Sequence, residues 1–166
     1  MHIEAYAWVA QSLQMMPTPS TVLELGSRDI NGSPRPLLPG TRYTGLDVVA
    51  GDGVDVVADA AQFEALNPFD LVICCEVLEH APQAAAIVAT AVRCTAPGGH
   101  IIITCASDGR APHSAVDGGT VREGEHYANV PWTDLQAWLQ AAGATVLQIE
   151  SRPDRGDVYA FARRAA

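Results

Sequence analysis

The alternation of apolar and polar positions divides the chain into short runs of two kinds. HIEAYAWVAQSLQMM, His2 to Met16, carries apolar residues at helical spacing, and Pro17 and Pro19 end it. TVLELG, RYTGLDVV and GVDVVADA follow as short runs rich in Val and Leu, which predict strands. PFDLVICCEVLEH, from Pro68, is nearly continuous in apolar residues, the pattern of a central parallel strand buried on both faces. PQAAAIVATAVRCT returns to helical spacing, and the APGG that follows, with Pro97, Gly98 and Gly99, predicts a helix stop. HIIITCA reads as another buried strand. WTDLQAWLQAAG is an amphipathic helix, with Thr133 placed to cap it and Gly143 to close it. TVLQIES and DVYAFARR flank the turn RPDRG and predict an antiparallel pair.

Strands alternating with helices imply right-handed crossovers and a parallel sheet. The expected architecture is therefore α/β: a Rossmann-like, doubly wound, seven-stranded, mostly parallel sheet with a C-terminal antiparallel hairpin. Residues 1–166 suit a single domain. Residues 107–131 are polar, glycine-rich and without period. A connection that long is uncommon in a compact domain unless it serves the site.

Composition narrows the partners. The formal charge of -9 repels phosphates, which disfavours nucleic acid and anionic membrane as ligands. No apolar run approaches the roughly 20 residues of a membrane helix, and no secretory signal pattern opens the chain, so a cytoplasmic location is expected. Cys74, Cys75, Cys94 and Cys105 contain no C-x-x-C pair and read as small buried hydrophobes in a reducing compartment.

Ligands of open α/β sheets bind beyond the carboxyl ends of the strands. Those ends carry Glu24, Gly26 and Ser27, then Asp47, then Asp59 and Ala60, then Glu76. Four carboxylates on one rim suit a ligand with an ammonium group, a ribose diol and an exocyclic amine. A pyrophosphate wants free backbone N–H groups and no facing anion. The dinucleotide fingerprint G-x-G-x-x-G is also missing, because Ser27 and Arg28 follow Gly26. Taken singly, Asp47 and Asp59 are also ordinary turn acids. Glu24, inside an apolar strand, is costly to bury without a partner.

With VLELGS, YTGLDVV, VDVVADA, FDLVICCEVLEHAP and APGGHIIIT in this order, the chain resembles the class I S-adenosylmethionine-dependent methyltransferases, in particular the small bacterial type-11 and type-12 domains. The resemblance spans about Thr21 to Arg163. It implies S-adenosylmethionine as cofactor and S-adenosylhomocysteine as product, and the acidic surface fits a small-molecule methyl acceptor better than a nucleic acid. The resemblance places Glu24, Gly26, Ser27 and Arg28 beside the methionine moiety, and Asp47, with Val48 next to it, at the ribose. Asp59 and Ala60 fall at the adenine, and Cys75 and Glu76 along the cofactor beneath the methyl. One departure is clear: SRDINGSPRPLLPG holds Pro34, Pro36 and Pro39, which limit the segment after Gly26 to a turn or two of helix.

Candidates for proton removal are Glu76, Glu79, His80, His113, His126 and Tyr127, with His80, His126 and Glu76 foremost. In some relatives, small-RNA ribose methyltransferases and quinone-ring O-methyltransferases, a similar E-x-x-E-H and a later histidine ligate a divalent metal. Glu76, Glu79, His80 and His126 match that order and form the candidate metal set of a metal-assisted O-methyltransferase. The plainer alternative has His80 capping a helix and His126 as a loop residue. Residues 1–18 are expected to form a lid helix, and 107–131 an acceptor-facing loop. A non-catalytic module binding the cofactor or its product, as partner or sensor, is the reading from a different class; it would need neither EVLEH nor the ionisable loop.

Overall fold

The computed structural model describes residues 1–166. Helix α1 (Ile3–Leu13) buries Ala5, Trp8, Val9 and Ser12, which lie on one face by helical spacing. Strands β1 (Thr21–Leu25), β2 (Arg42–Asp47), β3 (Val56–Val57), β4 (Phe69–Cys75) and β5 (Thr95–Ala106) pair in parallel. Helix α2 (Ala84–Cys94) connects β4 to β5, and helix α3 (Trp132–Ala141) precedes β6 (Ala144–Arg152) and β7 (Asp157–Arg164). The sheet runs β3-β2-β1-β4-β5-β7-β6, and β7 is antiparallel to both of its neighbours. This is the Rossmann-like mixed sheet with a C-terminal hairpin.

Period-two alternation divides the core. Leu23, Val72, Cys74, Ile101, Ile103 and Ala160 face α2 and α3. Val22, Leu71, Ile73, Cys75, Ile102 and Phe161 face α1. All four cysteines are free and buried. No helix is long and apolar enough to cross a membrane.

One local expectation holds and three change. The segment after β1 forms one 3-10 turn, Arg35–Leu37, because Pro34 and Pro36 withhold the N–H groups a longer helix needs. APGG does not stand outside the strand: β5 already begins at Thr95, and its pairing jumps from Phe69↔Thr95 to Leu71↔His100, so Ala96–Gly99 bulge from the ladder. Helix α3 starts at Trp132 with Pro131 at its N-cap, so Thr133 falls inside the first turn, while Gly143 turns the chain at φ 93. Helix α1 lies against the sheet, with Trp8 tilted on Tyr159 at 5.6 Å. The expected lid is thereby reduced to Met1 and His2, which alone of this segment reach the cavity described below.

Candidate active site

The carboxyl ends of β1, β2, β3 and β4 open on one cavity of about 940 Å³. Glu24, Gly26, Ser27, Arg28, Asp47, Val48, Asp59, Ala60, Cys75 and Glu76 all line it. Gly26 sits at φ 77, and a Cβ there would run into the Val77 side chain, so only glycine lets the β1 turn pack against the segment leaving β4. The turn's own N–H groups are taken: Gly26 and Ser27 both donate to the Leu46 carbonyl, at 2.8 and 3.0 Å. What the rim presents to the cavity is therefore carboxylate rather than amide.

Glu24 is 4% exposed, and its Oε2 accepts from the Tyr43 hydroxyl at 2.9 Å. Arg35 stacks over the Tyr43 ring at 4.5 Å. Burial pushes the Glu24 carboxyl up to about 7, against the pull of the Tyr43 bond and the Arg35 charge. Asp47 accepts from the N–H groups of Arg28 (3.2 Å) and Val49 (3.0 Å), which fix its carboxylate at the cavity wall. Asp59 is fixed in the same manner, by the Ala61 N–H at 2.8 Å and the Gln62 side chain at 3.1 Å. Glu76 follows β4 at φ 57, the one non-glycine residue in the left-handed region. Its Oε1 accepts from Thr104 Oγ1 at 2.8 Å. Strain of that kind persists only where the surroundings over-determine it, and it clusters at functional sites.

The far end of the cavity has a different chemistry. His80, Pro82, Ala111, Pro112, His113 and Val116 line it. His80, His113 and Tyr127 form an edge-to-face triangle with ring centroids 4.9 to 5.5 Å apart. His113 Nδ1 lies 3.1 Å from the Ala111 carbonyl, which accepts its proton and leaves Nε2 as the basic nitrogen. Burial, then the neighbouring His113, lowers His80 to about 4. Glu79 is fully buried; one oxygen accepts from the Ala106 N–H at 3.1 Å and the other has no partner. Burial, then the charge of Glu76, raises its carboxyl to about 8.

The expected quartet Glu76, Glu79, His80 and His126 is not the set that gathers. The ligating atoms of Glu79, His80 and His113 lie within 4.8 Å of one another, and neither Glu76 nor His126 belongs to that group. His126 lines a separate groove with Leu78, Ala84 and Trp138. Neighbours in extended chain point to opposite sides. The Ala128 N–H bonds to the Glu79 carbonyl, and Tyr127 turns in towards His80, so His126 turns out. His126 is thereby removed from the base candidates as well. Only the first part of 107–131 borders the cavity, from Arg110 to Gly118. Ser114 and Glu125 tie the rest back at 2.8 Å, together with the Arg122–Asp117 pair.

Sequence reasoning missed His2 and Arg110. Arg110 lines the cavity and pairs with the buried Asp157 at 3.0 Å. Asp157, an acid opening the apolar run of the last strand, is the signal that could have called for a partner such as Arg110. Nothing in the local pattern marked His2.

The profile of the methyltransferase-domain family matches residues 4–149. No curated protein sequence matches. Among solved structures, the chain is similar to the N-methyltransferase NodS of Bradyrhizobium japonicum WM9 in complex with S-adenosylhomocysteine, at 19% identity and TM-score 0.71 over 98% of this chain and 87% of that one. It is similar to 1,6-didemethyltoxoflavin-N1-methyltransferase of Burkholderia thailandensis, with 1,6-didemethyltoxoflavin and S-adenosylhomocysteine bound, at 20% identity and TM-score 0.70 over 99% and 78%. An S-adenosylmethionine-dependent methyltransferase of Clostridium acetobutylicum ATCC 824 aligns at 12% identity and TM-score 0.73 over 100% and 93%. At these identities the neighbours establish the fold; the profile match, over most of the length, establishes the family. The chain belongs to the methyltransferase-domain family and is a class I S-adenosylmethionine-dependent methyltransferase.

Proposed function

We propose that this chain moves the methyl group of S-adenosylmethionine to a small-molecule acceptor held between His80 and the 110–118 segment. The observation that carries the reading is the division of one cavity into two chemistries. Its rim is a row of fixed carboxylates, Glu24, Asp47 and Asp59, matched to an ammonium, a ribose diol and an amine. Its far end is apolar, with two imidazoles. A site of this volume is of small-molecule size. The neighbour that holds 1,6-didemethyltoxoflavin is consistent with an acceptor of that scale.

Transfer is an in-line displacement at the sulfonium, so the chain's main task is alignment. Asp47 and Asp59 hold the nucleoside and Glu24 faces the ammonium. Cys75 and Glu76 floor the space under the sulfur. If the acceptor presents a hydroxyl or an amine, His113 Nε2 takes the proton it sheds. His80 stays neutral and offers its ring as wall. A thermal-shift series tests the reading: S-adenosylhomocysteine raises Tm, while NADH and ATP at the same concentration do not, because only a ligand of the folded state stabilises it. A larger shift with NADH would overturn it.

A second reading, metal assistance, is favoured by the convergence of Glu79, His80 and His113. One carboxylate and two imidazoles suit Fe, Mn or Zn, and such an ion would act as a Lewis acid on an acceptor oxygen. The unpartnered oxygen of Glu79 and the His113 ring, oriented by the Ala111 carbonyl, are what such a site asks for. Elemental analysis after incubation with Mn and gel filtration reads it directly. A stoichiometric ion, lost in His113→Ala, supports it; no retained ion in the unmodified protein removes it.

A further inference from the structure

We propose that His2 is the positioning residue for Glu76: from the start of helix α1 its ring reaches the tips of β4 and β7, fixes the Glu76 carboxylate at the cavity wall and latches the helix to the sheet. The inference rests on the cofactor cavity proposed above for the meaning of Glu76, though not for the contact itself.

The geometry is a ring among acids. Nε2 lies 3.4 Å from Glu76 Oε2 and 3.3 Å from Asp157 Oδ2, aligned as a hydrogen bond with neither. Nδ1 lies 3.1 Å from Glu4 Oε2. The charges facing the ring come from every element around it. Glu4 is on α1, Glu76 follows β4 and Asp157 opens β7. Arg110 pairs with Asp157 at 3.0 Å, and Arg155 pairs with Glu4 at 2.6 Å. Tyr159 donates to Asp157 Oδ2 at 3.0 Å. The Met1 amino group bonds the Asn31 carbonyl at 3.3 Å across the cavity mouth. Three carboxylates face two guanidinium groups and the Met1 ammonium, and the acids lie close enough to the ring to favour a proton on His2. Nδ1 also lies 3.4 Å from the Ala5 N–H, which only an unprotonated nitrogen can accept; the shorter contact to Glu4 favours the protonated form. In keeping with this, the Glu76 contact raises the His2 pKa from its ordinary value in spite of burial.

Glu76 needs such a partner. Its backbone is held at φ 57, and Thr104 occupies only one carboxylate oxygen. Without His2 the second oxygen would be left beside the carboxyls of Asp157 and Glu79, with the Met1 ammonium as its remaining positive neighbour. Because His2 also lines the cavity, a direct contact with ligand has to be told apart from action through Glu76.

A double-mutant cycle separates them. His2→Ala, Glu76→Gln and the pair are compared by denaturant unfolding and by calorimetry with S-adenosylhomocysteine. If His2 acts through Glu76, each single variant lowers affinity several-fold and the pair is no weaker than Glu76→Gln alone. His2→Gln, which keeps a donor near the Nε2 position, restores part of the loss. Additive losses in affinity overturn the positioning role and leave His2 as a direct contact. Additive losses in unfolding free energy overturn the latch. The unfolding cycle needs no ligand. If S-adenosylhomocysteine fails to bind even the unmodified protein, the cofactor reading and the positioning role fall together, while the unfolding cycle still decides the contact.

Discussion

Asp47 and Glu24 share one rim but meet water differently, and their variants should differ accordingly. Asp47 is half-buried and held by two backbone N–H groups, so Asp47→Ala removes a charged acceptor without opening a core. Affinity for S-adenosylhomocysteine should fall by about 1.5–3 kcal/mol with little change in unfolding midpoint. Unchanged calorimetric affinity would detach Asp47 from the ribose. Glu24 couples to pH instead. Its folded pKa of about 7 lies above its ordinary 4.5, so the folded state holds this proton more tightly than the unfolded one. Stability from this group is fullest below about pH 4.5, declines as pH rises towards about 7, and stays low beyond. Glu24→Gln should therefore gain about 2–3 kcal/mol over the natural chain at pH 8 and nothing at pH 4, by denaturant titration at both values. Glu79, also raised, leaves some residual slope in both proteins.

At the scale of elements, α1 is the one helix on its face of the sheet, and Trp8 is its anchor at 4% exposure, against Tyr159. Trp8→Ala should cost about 3–5 kcal/mol of unfolding free energy. Faster amide exchange should appear first in α1 and at the tip of β7, since the helix carries His2 with it. Exchange unchanged in α1 would mean that the helix is held by something other than this contact. Helices, strands and their order are legible in the sequence because each apolar run has a clear period and ends in a breaker. The row of acids is legible for the same reason: each of Glu24, Asp47, Asp59 and Glu76 lies within or at the end of an apolar run. The aromatic end of the cavity is not. The outward turn of His126 follows from the Glu79–Ala128 backbone bond and the inward place of His113 from its contact with the Ala111 carbonyl, and neither can be read from residue type in an aperiodic loop. The bulge at Ala96–Gly99 is hidden likewise, because Pro97, Gly98 and Gly99 signal a break without saying on which side of it the strand begins.

Across the whole molecule, the feature with the widest reach is the place of β7. It is the last strand in the chain, yet it lies inside the sheet, between β5 and β6, with Asp157 to Ala162 buried throughout. A ribosome releases the chain from the other end. Until Asp157 to Arg164 emerge, β5 presents an open ladder and β6 has nothing to pair with. The nascent protein thus carries a long sticky edge from the completion of β5 until β7 follows, at a strand whose Ile101, Ile102 and Ile103 are fully buried in the finished sheet. A chain stopped before Asp157 should be recovered as aggregate, whereas full-length protein refolds from denaturant in a phase that closes the β5–β7 ladder late. Soluble, protected β5 amides in the shortened chain would contradict this. β7, made after both of its neighbours, is thus the strand that closes the sheet, so termination before Asp157 leaves an aggregation-prone fragment in place of a smaller domain.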